Sequence, residues 1–70
     1  MRDVIITQEP VELFKILKFE SLVNSGGEAK MAIEQGYVMV NNQQETRKRR
    51  KIVSGDCVEF NQQRLNIVLA

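Results

Sequence analysis

The chain has 70 residues, 43% of them apolar, no histidine, one cysteine and a net charge of +1. That length allows a single domain with a modest core and no cleft between domains. The missing histidine removes the commonest general acid–base and metal ligand, and a lone Cys57 excludes an internal disulfide. No enzyme, metal or cofactor chemistry is therefore expected. A reducing cytoplasm is, since the first residues lack the long apolar stretch of a signal peptide and no run reaches membrane-spanning length.

Residues 4–7, Val-Ile-Ile-Thr, form a β-branched run that predicts a strand. Glu9-Pro10 predicts a helix start, with proline at the first helical position. Leu13, Phe14, Ile16 and Leu17 then recur on one side at helical spacing, with Lys15 and Lys18 opposite. The helix is expected to end near Glu20 or Ser21. Ser25 followed by Glu28 is a capping-box pattern opening a second helix. Its narrow stripe of Ala29, Ala32 and Ile33 suits close approach to the first helix. Gly36 predicts its end.

Residues 37–40, Tyr-Val-Met-Val, predict a strand, and Asn41-Asn42 a reversal, because asparagine tolerates positive φ. A basic segment follows and ends in Ile52-Val53. Ser54-Gly55-Asp56 is a turn. Val58 and Phe60 alternate with Cys57 and Glu59. Asn61-Gln62-Gln63 turns into an alternating strand with Leu65, Ile67 and Leu69 on one face. The expected fold class is α+β, two short packed helices against a small, mainly antiparallel sheet, over residues 1–70.

The basic segment is the strongest functional signal. Arg47, Lys48, Arg49, Arg50 and Lys51 hold half of the ten Lys and Arg residues, while the rest of the chain is net acidic. Five adjacent like charges repel, and a polyanion with closely spaced phosphates relieves that repulsion. In an extended segment Arg47, Arg49 and Lys51 would face one way and Lys48 and Arg50 the other. Only a loop or arm could offer all five to one surface. The bland alternative is a solvated loop.

Other candidates are weaker. Lys18 and Lys30 fall on the non-core faces of the two helices and could form a patch beside the run, whereas Lys15 reads as an ordinary surface lysine. Ser25, Gly26 and Gly27 could bind phosphate through backbone N–H groups at a helix start, although Glu28 opposes an anion there. Phe14 and Phe60 read as core. Phe19 and Tyr37 read as partly exposed without forming a spaced stacking platform, which favours backbone and shape recognition over base reading. Cys57 reads as a filler or surface thiol. The acidic residues are scattered and show no metal-ligand spacing.

Residues 25–42, SGGEAKMAIEQGYVMVNN, resemble the RNA-binding domain named for small-subunit ribosomal protein four, also called the alpha-L RNA-binding motif. Ser25, Ala29, Lys30, Ala32-Ile33, Gly36, Val38, Val40 and Asn41 carry the likeness. Leu13 and Leu17 match its paired first-helix leucines, and Gly55-Asp56 with Val58 its later turn and strand. More narrowly, Leu17-Lys18, Ser25-Gly26-Gly27 and residues 47–51 resemble the small stand-alone bacterial YbcJ-like and YaaA-like group. Gly26 stands where many members have arginine, and Glu12-Leu13-Phe14 where many have Arg-Leu-Asp, so this chain has fewer cations on the shared face.

The resemblance implies a non-catalytic, monomeric, cytoplasmic RNA-binding protein. Its site would comprise Lys18, Ser25, Gly26, Gly27, Lys30, Arg47, Lys48, Arg49, Arg50 and Lys51. Its partner would be structured RNA, with ribosomal RNA and ribosome association in view. A module docking its basic run on an acidic protein is the alternative. Duplex DNA ranks lower, because neither helix shows an arginine/asparagine base-reading face.

Overall fold

A computed structural model describes residues 2–70. In chain order the elements are β1 (Arg2–Ile6), β2 (Val11–Glu12), α1 (Leu13–Phe19), α2 (Gly26–Glu34), β3 (Val38–Val40), β4 (Gln43–Gln44), β5 (Lys51–Ile52), β6 (Cys57–Phe60) and β7 (Gln63–Leu69). Five strands form one sheet in the order β1-β7-β6-β3-β4, and β2 pairs with β5 apart from it. Every pairing is antiparallel except β1 with β7, where Val4 lies opposite Ile67 in parallel register.

Alternation builds the sheet's two faces. Val4, Ile6, Val38, Val40, Val58, Leu65 and Ile67 are buried and join Leu13, Ile16 and Leu17 of α1 and Ala29 and Ile33 of α2 in one core. Across the outer face run polar cross-strand pairs, Arg64 with Glu59 and Asn66 with Asp3. The α+β arrangement of two packed helices on a mainly antiparallel sheet is as expected. Leu69 departs from its alternation and is exposed, because it ends the strand beyond the core.

The reversal at Asn41-Asn42 follows the asparagine expectation, and the turn expected after Phe60 takes the same form. Asn41 and Asn42 have φ of 53° and 69°, and Asn61 and Gln62 have 53° and 67°. Both pairs are the paired left-handed conformation that matches strand twist in a two-residue hairpin.

The first helix does not open at Pro10. Val11 and Glu12 instead pair with Ile52 and Lys51, and α1 starts at Leu13. Extended β2 gives Val11 and Glu12 strand partners, and long-range pairing overrides the local proline signal. Helix α2 begins as expected: the Ser25 hydroxyl accepts from the Glu28 N–H at 3.1 Å.

Candidate nucleic-acid interface

The basic run is a docked loop. Asn41-Asn42 turns the chain back, β4 lasts two residues, and the Arg50 N–H closes a turn onto the Arg47 carbonyl at 3.2 Å. Two loop carbonyls then receive the first N–H groups of α1: Leu13 donates to Arg50 at 2.9 Å and Phe14 to Lys48 at 3.1 Å. Helix α1 has no side-chain cap, so the basic loop itself satisfies donors that a helix start leaves open. The loop's path is thereby tied to the helix.

Glu45 fixes the loop from the other side. This carboxylate is only 6% exposed. Arg47 reaches it with Nε at 3.0 Å and Nη2 at 3.1 Å, its N–H donates at 2.8 Å, and Arg50 Nη1 donates at 2.8 Å. Hydrogen bonding from the Arg47 side chain, with help from Arg50, outweighs desolvation and lowers the Glu45 pKa to about 2. The same hydrogen bond raises the Arg47 pKa. The two arginines nevertheless differ, their side chains being 73% and 28% exposed. Arg47 lies along Glu45 with its outer side in water, while Arg50 is turned inward.

The other cations have looser partners. Arg49 meets Glu12 at 3.3 Å and Lys48 meets Glu34 at 3.3 Å. Glu12 also holds Lys15 at 3.3 Å, and its pKa is lowered chiefly by the Arg49 hydrogen bond. Lys51 has no ion-pair partner among the described residues. Arg47, Arg49 and Lys51 are exposed while Lys48 and Arg50 are half-buried, the alternation that residue spacing suggests.

Phe14 joins this loop to the helices. Its ring is buried at one edge of the core, and three cations gather on it: Lys30 at 4.6 Å from the centroid, Arg49 at 5.3 Å and Lys15 at 6.0 Å. A Cβ at Gly26 would stand 3.7 Å from the same ring. Gly26, Lys30 and Glu34 recur every four residues along α2; Gly26 lies beside the Phe14 ring, Lys30 sits over it and Glu34 pairs with Lys48.

Of the residues singled out from sequence, Gly26, Lys30 and Arg49 thus converge on one ring, and Lys48 of the loop meets Glu34 one turn further along α2. Ser25 caps α2, and a Cβ at Gly27 would meet only the Ser25 hydroxyl, at 3.9 Å. Lys18 is exposed on α1, four residues beyond Phe14 and on the same side of the helix. Sequence reasoning missed Glu45 and Phe14 as organisers. Glu45 stands two residues before the run, the only local signal of its part. Phe14 reads as core and is core, but its outer edge also holds charge. Phe19 and Tyr37 are both exposed.

Among the described residues no acidic, cysteine or histidine group is spaced to hold a metal ion, and no helix is long and apolar enough to cross a membrane.

Comparison with known proteins agrees with this architecture. The S4 domain family profile matches residues 4–68. The chain is 52% identical over 50 residues to YbcJ of Escherichia coli (strain K12), covering 71% of each protein. It is 36% identical over 55 residues to "Probable ribosome maturation protein RlbA" of Bacillus subtilis (strain 168), covering 79% of this chain and 78% of that one. The solution structure of YbcJ from E. coli, described as revealing an alpha-L motif involved in RNA-binding, superposes with a TM-score of 0.73 at 42% identity. That match covers 97% of this chain and 87% of YbcJ. Two helices on a mainly antiparallel sheet, an S4 profile across almost the whole chain and relatives of this similarity place the chain in the S4 domain family.

Proposed function

We propose that this protein is a small non-catalytic RNA-binding protein, acting as a cytoplasmic monomer on the phosphate backbone of structured RNA. The observation that carries this reading is the meeting of loop and helix cations, Arg49, Lys30 and Lys15, on the single ring of Phe14. The E. coli structure described as an alpha-L motif involved in RNA-binding supports the ligand class. The relative named for ribosome maturation supports ribosomal RNA as the structured partner.

Within the proposed site, Arg47, Lys48, Arg49 and Lys51 meet phosphates, and Arg50 anchors the loop. Exposed ion pairs contribute about 0–1 kcal/mol, so phosphate displaces Glu12 from Arg49 and Glu34 from Lys48 at little cost. Glu45 keeps its arginines, and Arg47 grips phosphate with the side that faces water. Lys18, Lys30 and the N–H groups at Ser25, Gly26 and Gly27 orient the RNA.

The test is the salt dependence of binding to a folded RNA. About four to five phosphate contacts give a log–log slope of roughly −3 to −4.5, from the single-strand to the duplex limit. Alanine at Arg47, Arg49 and Lys51 together flattens it by about two to three units. An unchanged slope in the folded variant would remove the run from the interface. A purified protein that carries no ribonuclease-sensitive RNA, yet holds an acidic protein, would assign the run to protein docking instead.

A further inference from the structure

A groove of about 540 Å³ lies between β1, the connection at residues 7–10 and α1. Its size falls in the range of small-ligand sites, about 300–1,000 Å³. One wall is apolar, formed by Pro10, Val11, Ile16 and Phe19. Phe19 is 66% exposed, an aromatic ring held out in water at the end of a short helix. The opposite wall is β1, the terminal strand of the sheet, whose outer edge presents N–H and C=O groups with no strand partner.

Charge at the rim narrows the occupant. Lys15 and Lys51 both line the groove. Lys51 also lines a shallow concavity of about 470 Å³ shared with Arg47, Arg49 and Arg50. The groove and the basic loop therefore meet at the one cation of the run that has no carboxylate partner among the described residues. The two carboxylates at the groove are both engaged, Glu12 by Lys15 and Arg49, and Glu20 by Arg2 at 3.6 Å.

We propose that this groove receives one unpaired nucleotide of the RNA held on the basic loop. The base stacks on Phe19, its phosphate sits at Lys51 and Lys15, and its polar edge meets the open backbone edge of β1. This inference rests on the RNA-binding reading above and adds to it a place where a single-stranded end or bulge is distinguished from continuous helix. An extended peptide could pair with β1, but it would leave the Lys51 charge without a phosphate and the Phe19 face without a stacking partner.

The test uses two hairpin RNAs with one stem, blunt or carrying a short single-stranded overhang. The wild-type protein should bind the overhang form tighter by roughly 5- to 150-fold, the contribution of one base–aromatic stack. Phe19→Ala should keep the wild-type affinity for the blunt hairpin and lose the preference. The chain contains no tryptophan, so Phe19→Trp introduces a single indole, whose emission the overhang form should quench and the blunt form should not. Thermal melts confirm that both variants are folded. Equal binding of the two hairpins by the wild type, or an unchanged preference in Phe19→Ala, would overturn the groove while leaving the RNA reading intact. Binding of neither hairpin would overturn both. Indole emission that responds to an extended hexapeptide and to neither RNA would assign the groove to strand addition and overturn the nucleotide.

Discussion

Arg50 donates from Nη1 to Oε1 of Glu45 at 2.8 Å, turning a member of the basic run inward onto a buried carboxylate. The five cations are therefore unequal. Arg50 gives the loop shape, and its neighbours face outward around it. A flexible arm of five like charges would pay a large ordering entropy on meeting RNA, whereas a loop anchored at Glu45 and at the start of α1 is ordered beforehand.

Glu45→Ala should destabilise the domain by about 1–2 kcal/mol, because it strips a half-buried guanidinium of its acceptor. It also adds a net positive charge to the loop. Affinity for heparin should rise, and discrimination between folded RNA and heparin should fall. Urea denaturation and paired binding titrations measure the two effects. A variant of wild-type stability and unchanged discrimination would show that the loop holds its shape without Glu45.

Acid should weaken the fold through the same residue. Glu45 has a folded pKa of about 2 against an ordinary 4.5, so the unfolded chain binds its proton more tightly. The stabilisation is present above pH 4.5 and is lost as pH falls toward 2. Glu12, also shifted downward, acts in the same direction. Melting temperatures should drop across that window, and Glu45→Gln should have a shallower drop from a lower starting value. A wild-type melt that stays level from pH 4.5 to 2 would contradict the ion-pair assignment.

Reversing the helix cations separates orientation from attraction. Lys18→Glu with Lys30→Glu leaves the loop intact but places repulsion beside Arg49 and on the outer side of α1. Binding to structured RNA should weaken more than binding to heparin at one ionic strength, since only the former depends on shape. Equal losses would reduce the helix face to a general electrostatic contribution, and no loss would remove it from the site.

The surroundings of Gly36 give it a part in stability. It ends α2 with φ of +85°, and the Gln44 side chain occupies the space a Cβ would need while donating to the Gly36 carbonyl at 3.1 Å. Gly36→Ala should cost about 1 kcal/mol or more in urea denaturation. RNA affinity should be unchanged wherever the variant is folded. Lost binding at full stability would place Gly36 against the ligand.

Local pattern sufficed for much of the architecture. The 13, 14, 16, 17 spacing marks the buried face of α1, Ser25 and Gly36 bracket α2, and Asn41-Asn42 and Asn61-Gln62 turn the hairpins, because each depends on contacts a few residues apart. The motif residues also carried the family resemblance, and the basic run is visible as charge alone. Tertiary structure decided what lies far apart in the chain. Parallel pairing of β1 with β7 joins opposite ends of the sequence, and the pairing of Val11 with Ile52 moves the helix start from Pro10 to Leu13. It also decided the roles within the site. A carboxylate becomes an anchor only when burial and two guanidinium groups converge on it, and a core phenylalanine collects cations only when a loop and a second helix pass its edge. Neither condition is written in residue order, because both depend on distances set by packing.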